Sequence, residues 1–317
     1  MITNVRTTFK CLPPSDFALS AMIFSDGDPQ ICKYDKGKFW QLIRVDGKPL
    51  LATVTNAGTV EEPKLTLNLK SNERIRKSDI EKAQEIVHSI FNLDFDLESF
   101  YKQARKDRLM AELTRKLRGL RSPATTTVFE ALINSIVEQQ ISLSIANKME
   151  KRLIKEFGEK LVLRDKETRY AFPTPRELAS ARISQLRNCG LSRRKAEFIK
   201  NISKMTQRGR LDLERFKDYK NTGEIAAELD RIPGVGLWTA EMTMVRGMHR
   251  LEAFPADDLG LRRVIARYYR IGEDLTAEEA RKIAGRWGTW KGLAGFYLIM
   301  ADAMDIKLAS VFLNSSV

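Results

Sequence analysis

The first hundred residues alternate apolar and polar side chains in short runs that are separated by turn residues. Residues 38–45 (KFWQLIRV) and 63–70 (PKLTLNLK) have this strand pattern, and the apolar run FALSAMIF at 17–24 ends at a dense turn signal. Asp46-Gly47 follows the first of these runs and is a strong signal for a two-residue hairpin turn. The pattern therefore predicts an antiparallel sheet that includes residues 17–24.

A helical period follows these strands. Residues 78–91 (SDIEKAQEIVHSIF) place apolar side chains three and four residues apart, and Ser78 with Glu81 forms a capping-box pattern at the start. We therefore predict a small α+β domain over residues 1–105.

From residue 106 onward the strand pattern disappears and helical spacing dominates. The run 128–158 ends at Gly158, and Gly190 is a candidate cap for the segment before it. Residues 106–317 are thus predicted to be all-helical, with about ten helices and no strands. The later predicted helices lie at 222–231, 236–248, 257–270, 276–288 and 290–304.

Composition narrows the class of protein. The chain has 317 residues, 43% of them hydrophobic and 30% charged, and contains no apolar run near the roughly 18 residues of a spanning helix. The first ten residues lack a signal-peptide core, which favours a cytoplasmic or nucleoid-associated location. The three cysteines are scattered, which argues against a disulfide framework, a zinc site or an iron–sulfur cluster.

Positive charge is concentrated in the helical part. Residues 1–105 carry 15 Lys and Arg against 14 Asp and Glu, whereas the rest of the chain carries 39 against 27. This asymmetry is typical of a surface that faces a polyanion such as nucleic acid, although solubility alone also favours some net charge. Charge by itself leaves both interpretations open.

Two glycines mark a tight turn between predicted helices in IAAELDRIPGVGLWTAEMTMVRG, residues 225–247. Pro233 ends the first helix, and Gly234 and Gly236 lack the Cβ that would keep a ligand away from the backbone. The next helix begins at once, so its free N–H groups and positive dipole end would attract a phosphate. A plain turn between packed helices is the alternative.

Several segments together carry a family resemblance. The hairpin is followed by FPADDLGLRR, and FEALINSIVEQQISLSIANKM, LRNCGLSRRKAEFIKNIS and RWGTWKGLAGFYL occur in the order that the family shows. The chain resembles the helix-hairpin-helix (HhH-GPD) DNA glycosylase superfamily, and within it the 3-methyladenine DNA glycosylase II branch. The resemblance implies an antiparallel-sheet N-terminal domain followed by a helical domain, whose two subdomains flank a lesion cleft.

The resemblance assigns the chemistry to one carboxylate. It marks Asp258 as the catalytic aspartate, which would stabilise the positive charge that develops on the sugar and orient the attacking water. Asp257 is interpreted as the N-cap of the helix that follows. Bifunctional relatives place a nucleophilic lysine where this chain has Trp238, so we expect no lyase activity. Lysines elsewhere, such as Lys291, are not excluded.

The resemblance also implies DNA contacts at the hairpin. Backbone groups of Gly234, Gly236 and Thr239 would bind phosphate, and Gln140 would fill the gap that a flipped base leaves, unless it is simply an exposed glutamine. The carbonyl groups of three residues could hold a structural Na⁺ or K⁺: Asp230, Ile232 and Val235. No other cofactor is expected, and the absence of cysteines after residue 270 argues against the iron–sulfur branch.

The base pocket is expected to be aromatic, because electron-poor alkylated bases stack on electron-rich rings. Trp238 is the principal candidate, and Met242 stands where a relative has tyrosine. Tyr297 on the closing helix is the candidate that would compensate for this change. Trp287 and Trp290 are interpreted as core residues.

These features predict a monofunctional base-excision-repair glycosylase that hydrolyses N-glycosidic bonds of 3-methyladenine-type alkylated purines in duplex DNA. The expected partner is double-stranded DNA with a damaged base, bound by a monomer. A glycosylase for oxidised guanine or deaminated purines is one alternative. A non-catalytic helix-hairpin-helix DNA-binding protein is the other, although binding alone would not need Asp258.

Overall fold

A computed structural model describes residues 3–163, 166–271 and 275–308. It consists of a five-stranded sheet with a helix against it, followed by an array of helices. The predicted α+β class, with an antiparallel-sheet domain before a helical domain, is confirmed. Among the described residues, none of the helices has the length and apolarity that crossing a bilayer requires.

The sheet has the order β1-β5-β4-β3-β2, and each neighbouring pair is antiparallel. Asp46 and Gly47 both adopt positive φ angles, 49° and 80°, as a tight hairpin turn requires, so the predicted hairpin is confirmed. The five strands are β1 Thr3–Lys10, β2 Cys32–Asp35, β3 Lys38–Val45, β4 Lys48–Asn56 and β5 Lys64–Ser71.

The expected strand at 17–24 is wrong. These residues form helix α1, Phe17–Ala21, and a 3₁₀ turn, Met22–Phe24, because the Asp16 side chain accepts from the Leu19 N–H at 2.9 Å. Phe17 and Ala21 lie one turn apart and both enter the core of the sheet domain. A run this short has no periodicity that separates a helix from a strand.

Helix α2, Lys77–Phe91, covers one face of the sheet through Val87, Ile90 and Phe91. Its cap differs from the prediction, since the N-cap is Arg76, two residues before Ser78. Asp79, and not Glu81, accepts from the N-cap N–H of Arg76, at 2.8 Å.

The prediction that no strands follow residue 106 is also wrong. A short hairpin, β6 Lys160–Val162 and β7 Thr168–Tyr170, packs Leu161 against Leu42 and Leu51 on the second face of the sheet. Three-residue strands are too short to show alternation, and they are stabilised here by the apolar face that they cover.

Eleven α-helices follow residue 106 among the described residues, close to the number expected. The predicted run 128–158 is divided into two helices by the turn at 139–142, where Gln140 has a φ of 56°. Gly190, at φ 103°, ends α8 as expected. Helix α3, Leu97–Ala104, precedes residue 106, and the eleven that follow are α4 Arg108–Lys116, α5 Val128–Glu138, α6 Leu143–Phe157, α7 Pro175–Ser180, α8 Ile183–Asn188, α9 Arg193–Gln207, α10 Thr222–Asp230, α11 Leu237–Met248, α12 Leu259–Tyr269, α13 Ala277–Ala284 and α14 Lys291–Ala303.

The helices bury two separate cores. One contains residues of α5, α6, α9, α10 and α11, and the other contains residues of α3, α4, α12, α13 and α14. Helix α3 precedes the domain boundary predicted after residue 105, yet it packs in the second core with helices that follow the boundary. The boundary itself stays a prediction. A cleft of about 1840 Å³ is lined by residues from both groups of helices.

Candidate active site

The α10–α11 hairpin lines the cleft with a backbone that a ligand can approach closely. Gly234 has a φ of 92°, and a Cβ there would lie 2.3 Å from the Phe198 ring, so both conformation and space require glycine. Gly236 is the N-cap of α11 with no side-chain cap bond, and a Cβ there would meet nothing within 4 Å. Its freedom from neighbours leaves the approach to the helix end open.

The first turn of α11 is suited to bind an anion. The first bond of its hydrogen-bond ladder runs from the Ala240 N–H to the Gly236 carbonyl, so the preceding N–H groups, Thr239 included, point out of the helix end. The Thr239 side chain is 2% exposed and accepts from Gln139 Nε2 at 2.8 Å. The Thr239 hydroxyl is therefore already bonded to Gln139, and a phosphate contact by the Thr239 N–H stays a prediction.

Gln139 is a residue that the sequence reasoning missed. Its Nε2 also donates to the Gly234 carbonyl at 2.8 Å, so one amide joins the end of α5 to the hairpin turn. Lys195 Nζ donates to the Val137 and Gln139 carbonyls at 2.7 and 2.6 Å, which fixes the end of α5 from another side. No local pattern marks these contacts, because each joins residues at least 56 positions apart.

The three carbonyl-bearing residues proposed for a monovalent cation all belong to this turn. Asp230, Ile232 and Val235 line the cleft, and the Ile232 carbonyl already accepts from the Val235 N–H at 2.9 Å. A carbonyl oxygen has a second lone pair, so this bond still permits an ion. The cation stays a prediction.

Asp258 is held on both oxygens. Oδ1 accepts from the Leu261 N–H at 2.8 Å, which caps α12, and Oδ2 accepts from Trp238 Nε1 at 3.3 Å. The side chain is half-buried and lines the cleft. This geometry keeps the carboxylate at the junction of α11 and α12 in a fixed orientation.

The predicted cap at Asp257 is wrong. Helix α12 begins at Leu259, so Asp258 is the N-cap, and the Asp257 side chain is 53% exposed and lies 3.6 Å from Arg281 Nη2. Both aspartates are good N-cap residues, and only the position of the helix start distinguishes them.

Two of the three predicted pocket residues line the cleft. Trp238 is half-buried there, and Met242, one turn later on α11, is 8% exposed.

Tyr297 does not line the cleft, which corrects the prediction. It is fully buried in the second helical core, where its hydroxyl donates to the Leu120 carbonyl at 2.8 Å, and this burial raises its pKa well above the usual value. The α14 face on the cleft contains Gly292, Gly295, Phe296 and Ile299 instead. A helix turns about 100° per residue, so the neighbouring Phe296 faces the cleft. The spacing of these four residues could have indicated this face.

The two tryptophans interpreted as core residues, Trp287 and Trp290, pack in or against the second helical core, as expected. Trp287 is 1% exposed, and Trp290 packs against Phe95 and Phe100 at ring distances of 5.1 and 6.0 Å. Neither is among the cleft-lining residues.

Gln140, the predicted gap-filling residue, lies at the cleft. It is exposed, lines the cleft and projects from the α5–α6 turn at a positive φ. Its role in DNA stays a prediction.

Arginine and lysine side chains are among the residues that line the cleft. Arg194, Arg231 and Arg263 line it, and so does Arg246, whose guanidinium pairs with Glu138 at 2.5 Å. Lys195 is the lysine among the described cleft-lining residues, and burial lowers its pKa. The described cleft lining also contains five carboxylates: Glu138, Asp230, Asp257, Asp258 and Asp302. The cleft therefore offers cationic side chains to a polyanion without being basic overall.

Comparison with known proteins agrees with this geometry. Residues 133–289 match the family described as HhH-GPD superfamily base excision DNA repair protein, and residues 31–132 match the 8-oxoguanine DNA glycosylase N-terminal domain. A DNA-3-methyladenine glycosylase of Bacillus subtilis is 32% identical over 220 residues, which cover 68% of this chain and 72% of the relative.

Solved structures extend the similarity to nearly the whole chain. A 3-methyladenine DNA glycosylase from Archaeoglobus fulgidus superposes with a TM-score of 0.82 at 27% identity, covering 94% of this chain and 99% of the other. A Clostridium acetobutylicum 8-oxoguanine glycosylase/lyase in complex with double-stranded DNA has a TM-score of 0.74 at 20% identity, with coverage of 96% and 99%. The latter likeness shows the fold alone. The chain belongs to the HhH-GPD superfamily of base excision DNA repair proteins, and within it resembles the 3-methyladenine DNA glycosylases.

Proposed function

We propose that this DNA glycosylase is monofunctional and hydrolyses the N-glycosidic bond of alkylated purines in duplex DNA. The observation that carries the proposal is the contact of 3.3 Å between Trp238 Nε1 and Asp258 Oδ2. It puts an indole, and not an amine, beside the carboxylate that would face the sugar. We further propose that the protein acts as a monomer, inside the cell, on double-stranded DNA with a damaged base.

The chemistry follows from the position of Asp258. Breaking the bond between base and deoxyribose builds positive charge on the sugar, and a carboxylate fixed at the cleft wall stabilises that charge without reorganising. The Leu261 and Trp238 N–H groups donate to the carboxylate and hold its two oxygens in place. Its remaining lone pairs face the cleft, where they can orient a water for attack on the sugar.

The preference for alkylated bases rests on the cleft walls. Trp238 on α11 and Phe296 on α14 contribute aromatic rings to the cleft lining, and Met242, one turn after Trp238, adds a polarizable sulfur. Methylation at a ring nitrogen gives a purine positive charge, and a cation is attracted to an aromatic face by about 0.5–2 kcal/mol.

The absence of lyase chemistry is proposed from the position of the amines. Lys195, the described lysine that lines the cleft, donates to two backbone carbonyls and would have to break both bonds to attack a sugar. An imine requires a free amine, so we expect the reaction to end at an abasic site.

A glycosylase for oxidised guanine is the second candidate. The match of residues 31–132 to the 8-oxoguanine DNA glycosylase N-terminal domain favours it. The indole of Trp238 at the position where bifunctional relatives have lysine argues against it.

Duplexes that each contain one lesion test these assignments: 7-methylguanine or 3-methyladenine, hypoxanthine and 8-oxoguanine. We expect base release from the alkylated duplexes, strand cleavage only after hot alkali, and no adduct when borohydride is present. Trp238→Lys is the matched control, because it puts an amine beside Asp258 and should yield a trapped adduct. Release of 8-oxoguanine alone, or an adduct with the parent protein, would refute the proposal, and Lys195 would be the first residue to replace.

A further inference from the structure

An ion pair joins α11 and α13 behind the loop that presents Asp258. Arg281 donates to Glu241 through Nη1 at 2.7 Å and Nη2 at 2.9 Å, so the contact is bidentate. Glu241 is 6% exposed, and Arg281 is only partly exposed. A half-buried bidentate pair of this kind has a more defined geometry than a flexible surface pair.

The same guanidinium also binds the loop itself. Arg281 Nη1 donates to the Phe254 carbonyl at 3.1 Å, and that carbonyl also accepts from the Ala256 N–H at 2.7 Å. The turn continues with the Asp258 N–H donating to the Pro255 carbonyl at 2.9 Å. Residues 254–258 are therefore tied to α11 through Arg281.

Helix α11 carries the two residues that link it to the loop and to Asp258, namely Glu241 and Trp238. Glu241 lies three residues after Trp238, so the two side chains are about one turn apart on the same helix. The indole of Trp238 contacts Asp258 Oδ2, and the carboxylate of Glu241 holds the loop that carries Asp258. The two contacts together fix the distance from α11 to the catalytic carboxylate.

The charges suit a site that must stabilise a cation. An unpaired arginine near the developing sugar cation would oppose it, but Glu241 neutralises the guanidinium, and Asp257 lies 3.6 Å from it as a second carboxylate. Arg281 can thus fix the loop without adding net positive charge. Asp257 is 53% exposed, so it contributes less than Glu241.

We propose that Glu241 and Arg281 are positioning residues for the reaction: they hold the 254–258 loop so that the Asp258 carboxylate stays against Trp238. This inference rests on the proposed function. It predicts that loosening the pair slows base release while leaving DNA binding and the fold in place.

Arg281→Gln and Glu241→Gln test the proposal, with Arg281→Lys as the conservative variant. Single-turnover base release is measured with hypoxanthine and with 7-methylguanine, together with affinity for abasic-site DNA and the unfolding temperature. A displacement of about 1 Å can cost about 100-fold in rate, so we expect a loss of about 10- to 100-fold on hypoxanthine. The loss should be smaller on 7-methylguanine, whose charged base leaves with less assistance, and Arg281→Lys should recover part of the rate.

Arg44→Gln is the matched control. Arg44 also pairs with a carboxylate, Glu159, at 2.7 Å and donates to a backbone carbonyl, but it lies outside the cleft. It should lower the unfolding temperature without changing the ratio of the rates on the two bases. If Arg281→Gln behaves like Arg44→Gln, or slows both bases equally, the pair is structural only and the proposal is overturned.

Hydrogen exchange tests the positioning role of Arg281 and Glu241 separately from the proposed glycosylase function. Loosening the loop should speed exchange of the Leu261 amide, which Asp258 caps, relative to amides in α5. If the parent protein releases no base, the proposed function fails, yet faster exchange at Leu261 in Arg281→Gln still supports the positioning role. Unchanged exchange there would overturn it.

Discussion

Replacing Asp258 with asparagine separates its two roles. Asparagine is as good an N-cap as aspartate, so its oxygen can still accept from the Leu261 N–H and keep α12 in place. What is lost is the negative charge that would face the sugar, together with the hydrogen bond from Trp238 Nε1, which an amide nitrogen cannot accept. The variant should therefore fold and bind DNA nearly as the parent does, while base release collapses.

The size of the loss follows from the electrostatics. A carboxylate about 4 Å from a unit positive charge contributes about 4 kcal/mol at an effective dielectric constant of about 20. That corresponds to a rate loss on the order of 100- to 1000-fold, which agrees with the loss of a single preorganised electrostatic group elsewhere. The loss should be larger for hypoxanthine, a neutral base, than for cationic 3-methyladenine.

Single-turnover base release on both lesions is the assay, with unfolding temperature and abasic-site affinity measured alongside. Asp258→Ala should add a stability loss of about 0.5–2 kcal/mol, because it also removes the cap. Asp96→Asn is the matched control, since Asp96 caps α3 in the same way but lies outside the cleft, and it should stay within about threefold of the parent. If Asp258→Asn also stayed within about threefold on both lesions, another group would have to stabilise the sugar.

Three further predictions concern the hairpin, the charge and a buried acid. Gly234→Ala should destabilise the fold by about 1–3 kcal/mol, because the new Cβ meets the Phe198 ring at a positive φ. Gly236→Ala should keep stability and weaken DNA binding, since a Cβ there meets nothing within 4 Å. Equal unfolding curves for the two variants would contradict this prediction. The plot of log K for DNA against log salt should have a slope steeper than about −2, and a flat plot would refute the phosphate contacts. Burial raises the pKa of Glu150 from 4.5 to about 8, so the unfolded state ionises first and stability is lost as the pH rises between these values. Glu150→Gln should then match the parent protein at pH 4.5 and unfold at a higher temperature above pH 8. A variant no more stable than the parent there would show that folding does not raise the pKa of Glu150.

Elements specified by local chemistry were predictable. The Asp46-Gly47 hairpin and the Gly234 turn require backbone angles that few residues other than glycine adopt, so their sequences identify them directly. Helices α11, α12 and α14 were predicted within two residues of their ends, since their apolar spacing extends over three turns.

Errors arose where a short segment had more than one local solution. Residues 17–24 are helical because the Asp16 cap and the neighbouring core decide between two conformations that an eight-residue apolar run permits equally. The β6–β7 hairpin is stable because it covers Leu42 and Leu51, which lie more than a hundred residues earlier in the chain.

The residues of the site also fall into those that the sequence predicted and those that only the structure identified. The sequence alone determined that a glycine hairpin, a carboxylate about twenty residues later and an indole in place of lysine would occur together, because these are properties of residue type and spacing. Only the tertiary structure decided which of Asp257 and Asp258 caps α12, and that Phe296, not Tyr297, faces the cleft. It also decided that Gln139 and Arg281 hold the two sides of the site. A one-residue shift rotates a helical side chain by about 100°, and contacts between distant segments leave no mark in the local pattern.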